Sequence, residues 1–482
     1  MLLCADERTT GCSRREKRQA LAGSFSKAIM YCGTSSSFCS CCHWRSSSFK
    51  IFPRSPIIPI FVLFLLVPSP FFCRASSLET ATVRTTNQTS QPGDELQKLK
   101  MIRAYLKGIN KPPLKTIQSP DGEIIDCVLS HQQPAFDHPL LKGQKPLDPP
   151  EVPNGYDSTG VAVEILQQWR TSGEVCPEGT IPIRRTSEAD VLRASSVQTF
   201  GKKVKSHVLV DTSDVAHEYK LCFSWVMVDF IYYYYYYYYY YYYYYYSKVY
   251  VAGDQYYGAQ ATINLWQPVV ADPNEFSLAQ FWVMAGDAGI DLNTIEVGWQ
   301  SRLFIYWTAD DYGATGCYNL QCAGFIQTNN GFAIGSPIGP PSSYGGAQID
   351  ITLLVWRVPG SGNWWLLLRP NILLGYWPSV LFTHLTEPAS QVQFGGEIVN
   401  LELMGQHTST QMGSGHFAEE NYGKAAYFQQ LQVVNGDNYL VPVQNAQTYE
   451  DDPNCYDLQG GIDPNWGTAF FYGGPGRSET CP

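Results

Sequence analysis

The sequence predicts an all-β protein: an antiparallel sandwich of two sheets, preceded by a small α+β domain. Three observations lead there. Of 482 residues only 16% are charged while 14% are aromatic, with 41 glycines and 31 prolines, a balance that favours sheets and turns over helices. From Tyr250 onward, apolar runs of five to eight residues such as TINLW, RLFIYWT and QIDITLLVW alternate with Gly, Pro, Asn and Asp. No long helical pattern intervenes, which argues for antiparallel strands in two packed sheets over a parallel sheet.

The elements follow in chain order. Residues 1–55 are rich in Cys and Ser, lack periodicity and read as an unstructured or spurious extension. The apolar run Ile57 to Phe72 follows Lys50 and Arg54 and precedes Cys73-Arg74-Ala75-Ser76, the pattern of a signal peptide over 56–76. Broken by Pro59 and Pro68, it is short for crossing about 30 Å of hydrocarbon, so secretion without stable membrane association is expected. Asn87-Gln88-Thr89 offers a glycosylation sequon. Leu96, Leu99, Ile102, Leu106 and Ile109 recur at helical spacing, and Gly108 with Asn110-Lys111-Pro112 ends that helix. A hairpin is expected at Pro120-Asp121-Gly122, a proline-rich connection from Pro134 to Pro153 and a second short helix from Val161 to Trp169. The small domain is thus placed at 95–203, a linker at 204–249 and the sandwich at 250–482. Inside the linker, Tyr232 to Tyr246 are all tyrosine, and identical rings facing both sides of a strand give no amphipathic pattern; the run reads as non-native insertion.

Charge and cysteine usage exclude several functions. Residues 249–482 carry five basic and 21 acidic side chains, which would repel a phosphate backbone, so nucleic acid is not expected as a partner. Seven cysteines follow the signal, Cys127, Cys176, Cys222, Cys317, Cys322, Cys455 and Cys481, without a CxxC pair, which suits disulfides in an oxidising compartment better than zinc. There is no phosphate-binding glycine loop, no GxSxG elbow and no HExxH, and His384, His407 and His416 are scattered; neither cofactor nor metal is expected.

Two carboxylates carry the functional signal. In NTIEVGWQ, period-two alternation puts Glu296 on one face with Thr294, Gly298 and Gln300, while Ile295, Val297 and Trp299 face the other. In QVQFGGEIVN, Glu397 shares a face with Gln393 and Gly395, and the double glycine permits close backbone approach.

With YYGAQATINLWQPVV, NTIEVGWQ, RLFIYWTADDY, TGCYNLQCAGFIQTN, GYWPSVLF, FGGEIVN, HTSTQMGSGHF and FYGGPGR, and with KTIQSPDGEIIDCV and CPEGTIPIRRTSEADVLRA upstream, the chain resembles the plant neprosin family of secreted glutamic peptidases. The resemblance implies an activation propeptide over 95–203, then a β-sandwich catalytic domain with Glu296 and Glu397 facing each other across a cleft. It implies acid-active endopeptidase chemistry on peptides or proteins, cutting after proline, outside the cell, in the wall or in the vacuole. Two carboxylates in one cleft split their pKa values, so one can take a proton from water while the other donates toward the leaving nitrogen. Gln280 and Gln300, with Tyr306, are candidates to steady the oxyanion; Trp307, Trp364 and Trp365 are candidates to stack on a prolyl ring.

The same resemblance pairs Cys317 with Cys322, Cys455 with Cys481 and Cys127 with Cys176, leaving Cys222 over. It also marks two departures: residues 220–248 have no counterpart, and Gln300 runs directly into Ser301-Arg302, where relatives carry a longer connection. The alternative is an inactive sandwich that binds peptide or carbohydrate.

Overall fold

The computed structural model describes residues 92–158, 167–194, 197–203, 243–402 and 406–482. The extension, the signal peptide, the sequon at Asn87, most of the expected helix at 161–169, Cys222 and Tyr232 to Tyr242 lie outside the described residues.

The small domain opens with α1 (Pro92–Ile109), then β1 (Pro113–Gln118) and β2 (Ile124–Leu129), with β3 (Thr180–Arg184) and α2 (Glu188–Leu192) behind. The expected hairpin joins β1 to β2, with Gly122 in the left-handed region and its N–H donating to the Ser119 carbonyl. Three antiparallel strands form the sheet, and Cys127–Cys176 ties β2 to the segment before β3. Ser187 caps α2 in a reciprocal box with Asp190. Ala135, Phe136, Leu141 and Ile181 pack into the core of the large domain, so this unit shares its apolar burial with the sandwich.

The large domain comprises β4 (Tyr243–Tyr256), β5 (Gly258–Asn264), β6 (Ser277–Ala285), β7 (Asn293–Trp299), β8 (Leu303–Thr308), β9 (Ile326–Gln327), β10 (Asp350–Arg357), β11 (Trp364–Leu368), β12 (Ile372–Trp377), β13 (Ala389–Asn400), β14 (Ala426–Val434), β15 (Leu440–Pro442), β16 (Gln447–Glu450), β17 (Asp457–Asp463) and β18 (Gly467–Gly473). Among the described residues these make two antiparallel sheets. One has six strands in the order β16-β4-β13-β6-β7-β8; the other has nine, in the order β17-β18-β14-β5-β10-β11-β12-β9 with β15 beside β14. The all-β sandwich behind a small α+β unit is thus present.

Register fixes which side chains meet. In the smaller sheet Val283 pairs with Ile295 and Val392, and Phe281 with Val297 and Phe394; this face is apolar and forms the inter-sheet core. Gly396 turns inward where an added Cβ would stand 2.5 Å from the Met412 sulfur. The opposite face of the same strands carries Gln280, Trp282, Glu296, Tyr306, Gln393 and Glu397.

The sandwich begins inside the tyrosine run. Tyr243 to Tyr246 open β4 and pair with β13, Tyr246 opposite Glu397 and Tyr245 opposite Ile398. Strand alternation gives the identical rings two environments: Tyr246 lies 6.3 Å from Trp282 on the cleft face, and Tyr245 lies 4.3 Å from His407 on the other. The last four tyrosines therefore have places in the fold, contrary to the reading of the whole run as lacking one.

Candidate functional site

Four adjacent strands, β13-β6-β7-β8, build the site. Glu296 on β7 sits across from Trp282 on β6 and Tyr306 on β8, while Glu397 on β13 sits across from Leu278 on β6. Between the glutamate strands, Gln280 is flanked by Gly298 on one side and Gly395 on the other. A Cβ at Gly298 would stand 2.2 Å from the Ala279 carbonyl and 2.5 Å from the Gln280 Cβ, so only glycine lets Gln280 lie flat between the carboxylates.

A lysine from the small domain joins the two acids. Lys203 Nζ donates to Glu296 Oε2 at 2.6 Å and to Glu397 Oε2 at 2.7 Å, and the three side chains are 3%, 0% and 2% exposed. The carboxylates can be no farther apart than those two bonds laid end to end. The Lys203 backbone N–H donates to the Tyr306 hydroxyl at 3.3 Å, so the segment is held by main chain as well as charge.

The acids differ in their other partners. Glu296 Oε1 accepts from Thr294 Oγ1 at 2.9 Å and from the Tyr312 hydroxyl at 2.8 Å. Glu397 Oε2 accepts from Gln280 Nε2. Burial pushes the Glu397 carboxyl up; Lys203 pulls it back, the charge of Glu296 pushes it up again, and the net direction is upward. Burial opposes charge on Lys203, but the two carboxylates outweigh it and raise the ammonium above its ordinary value. The Tyr312 hydroxyl is driven well up by burial and by both glutamates, which keeps it a donor.

Openings flank the pair along the strands. One of about 350 Å³ is lined by Lys203, Tyr244, Phe276, Gln300, Arg302 and Tyr318. Another of about 260 Å³ is lined by Tyr246, Lys248, Trp282, Tyr312 and Gln393.

The structure gathers Glu296, Glu397, Gln280 and Tyr306 into one cluster but leaves Gln300 on its rim. Gln300 and Ser301 form a tight β7–β8 hairpin, with Ser301 at φ 53° and the Gln300 N–H on the Arg302 carbonyl at 2.9 Å; the short connection keeps full register beyond it. Gln280 donates to Glu397, and its Oε1 is buried without a partner. Trp307, Trp364 and Trp365 do not face the cleft: Trp307 packs on Phe382, Trp364 donates to the Leu385 carbonyl, and Trp365 stacks on Tyr376 in the nine-stranded sheet. Missing from the sequence reading are Lys203, visible there only as a domain boundary, and Tyr312, which comes from a turn at φ 59°.

Among the described residues, disulfides pair Cys127 with Cys176, Cys317 with Cys322 and Cys455 with Cys481. His407, Cys455 and Cys481 form a group of side chains within metal-ligand reach of one another, but both sulfurs are joined to each other and offer no thiolate. Among the described residues, no helix is long and apolar enough to cross a membrane.

Fold and site together define a β-sandwich with a buried glutamate pair on one sheet face, capped by a lysine from its own N-terminal domain. The chain belongs to the neprosin family: the model of the Neprosin activation peptide matches residues 116–222 and the Neprosin model matches residues 273–475, together more than half of the sequence. Among solved structures, scytalido-glutamic peptidase with a transition state analog inhibitor is similar at 11% identity, over 48% of this chain and 98% of that one, with a TM-score of 0.28. CG-16, a homodimeric agglutinin from chicken liver, is similar at 8% identity over 33% and 96%, with a TM-score of 0.17. Superpositions that loose carry no argument about activity.

Proposed function

We propose that this protein is a secreted, acid-active glutamic endopeptidase, made as a zymogen and cutting after proline. One observation carries the reading: both buried carboxylates bind the same ammonium from the activation domain, as a pair held shut would. When Lys203 leaves, two acids share a desolvated cleft and one proton suffices for both.

The donors around each acid support a division of roles. Glu296, which accepts from Thr294 and Tyr312 on the oxygen that Lys203 does not use, takes the part of the base. Glu397, pushed upward, keeps the proton and is the acid. Water attacks the scissile carbonyl as Glu296 takes its proton; Glu397 then gives its proton to the departing nitrogen, the C–N bond breaks, and proton exchange between the acids resets the site. Tyr312 and the Gln280 amide, once turned from Glu397, are the donors at hand for the oxyanion. Tyr246 and Trp282 wall the opening beside Glu397 with aromatic surface suited to a pyrrolidine ring. Gln300, off the site on its short hairpin, favours the second reading, a sandwich that binds peptide without cutting it.

Acid-treated protein, with its activation domain removed, is incubated with proline-containing peptides and the fragments are mass-analysed. Cleavage after proline that vanishes in Glu296→Gln and Glu397→Gln supports the reading. Full activity in either folded variant removes that residue from the mechanism, and binding without cleavage selects the second reading.

A further inference from the structure

The outer face of the nine-stranded sheet, away from the glutamates, holds a second built recess. Its floor is a row of uncharged polar side chains: Gln260 Nε2 donates to Gln432 Oε1 at 2.7 Å, and Thr262 Oγ1 reaches Gln430 Oε1 at 3.3 Å. A bulge in β14 between Gln429 and Gln432 puts Gln430 at φ 54°, and the Gln430 N–H then ties the 463–467 turn by donating to the Trp466 carbonyl at 2.9 Å. This seats the Trp466 indole beside the amide row.

Trp466 is packed from several sides. Its ring lies 5.0 Å from Tyr427, 5.4 Å from Tyr422 and 5.8 Å from Phe471. It lines a recess of about 270 Å³ with Gln260, Gln432, Thr468 and the mutually paired Arg369 and Asp157, and a wider groove of about 500 Å³ with Tyr422 and Phe471. Gln260 is 1% exposed and borders the recess, and its Oε1 is buried without a partner. A buried acceptor left open is unfavourable, and a turn of the amide toward the recess lets a ligand hydroxyl restore the missing bond.

We propose that this groove binds a neutral oligosaccharide, one pyranose ring seated against Trp466 with a hydroxyl donating to Gln260 Oε1 and the neighbouring rings continuing over Tyr422. Aromatic faces are electron-rich and attract the C–H faces of a sugar, while side-chain amides match its hydroxyls without charge. The recess falls just under the roughly 300–1,000 Å³ of a drug-sized ligand's pocket, which suits one ring. An anionic glycan is disfavoured because the surrounding domain carries 21 acidic side chains against five basic ones. The site shares no residue with the glutamate pair, so an inactive protein binds as well as an active one.

The full-length chain is titrated with cellohexaose, with polygalacturonate and a proline-rich peptide as contrasts, by calorimetry. Cellohexaose binding that Trp466→Ala weakens at least tenfold and Tyr422→Ala, on a ring 59% exposed, several-fold, with Glu296→Gln unaffected, supports the proposal. No cellohexaose binding by the wild-type chain overturns it, as does preference for polygalacturonate or for the peptide. Should Trp466→Ala fold poorly, Tyr422→Ala decides: wild-type affinity in that variant also overturns it.

Discussion

Among the ion pairs between the activation domain and the sandwich in the described residues, two networks differ in how much water reaches them. Lys203, Glu296 and Glu397 are sealed, with two acids for one base. At the other network, Arg302 of the sandwich and Arg184 of the activation domain both bind Glu123, and Arg184 also reaches Asp190 at 3.0 Å; the arginine side chains are 40% and 23% exposed. With Arg193 also on Asp190, three guanidiniums there face two carboxylates. Burial pushes the Asp190 carboxyl up, but Arg184 and the Ser187 cap outweigh it and hold it down to about 2. In the sealed cluster burial, joined by the charge of Glu296, outweighs Lys203 and sends Glu397 upward. Similar residue types thus give opposite proton affinities, set by charge count and desolvation.

The largest effects should come from emptying the sealed network. Glu397→Gln or Glu296→Gln should lower peptide cleavage by about 10²–10⁴, the contribution of a positioned acid or base, as read from initial rates on the acid-processed protein. Lys203→Met comes next. Breaking one side of a buried ion pair costs about 3–5 kcal/mol, so the full-length variant should shed its activation domain and cut peptide at a pH where the wild type is silent. A variant as latent as the wild type would show that main-chain contacts alone keep the cleft closed.

Acid should open the sealed network before the exposed one. Lys203 pulls the Glu397 pKa down, so the docked state binds fewer protons than the undocked state. Docking therefore strengthens as pH rises through that window and is lost as pH falls through the docked pKa of Glu397, which lies above the ordinary 4.5. The contribution of Asp190 is lost in the same direction but lower on the scale: its depressed pKa supplies stability present above 3.8 and lost only as pH falls toward about 2. Size-exclusion chromatography and circular dichroism across pH 6 to 2 should show release first and unfolding of the activation domain later. Simultaneous loss would mean that the two networks titrate as one.

How much of this was readable depended on whether a residue lay on a periodic element. In NTIEVGWQ and QVQFGGEIVN the strict period of two leaves Glu296 and Glu397 on the face opposite Ile295, Val297, Phe394 and Ile398, and burial of those side chains fixes the register. Lys203 was not legible because its partners lie 93 and 194 residues away and no spacing announces a coil residue crossing between domains. Tyr312 was hidden by its turn. Trp364 and Trp365 misled because an aromatic ring fills an apolar core as readily as it lines a cleft. The tyrosine run has no parity to read, and only pairing with β13 assigns Tyr245 and Tyr246 their faces.

The smallest effect tests whether exposure is the true difference between the networks. Arg302 reaches Glu123 from a position 40% exposed, where water screens the pair and Arg184 remains 2.7 Å from the same carboxylate after Arg302 is removed. Arg302→Ala should therefore cost less than about 1 kcal/mol of docking, shrink further with added salt and leave the pH of release where the wild type has it. Dissociation of the activation domain measured at low and high salt gives both numbers. A shift in release pH as large as that of Lys203→Met would mean that the two networks are coupled through Glu123, and that burial of the glutamate pair does not by itself govern the lock.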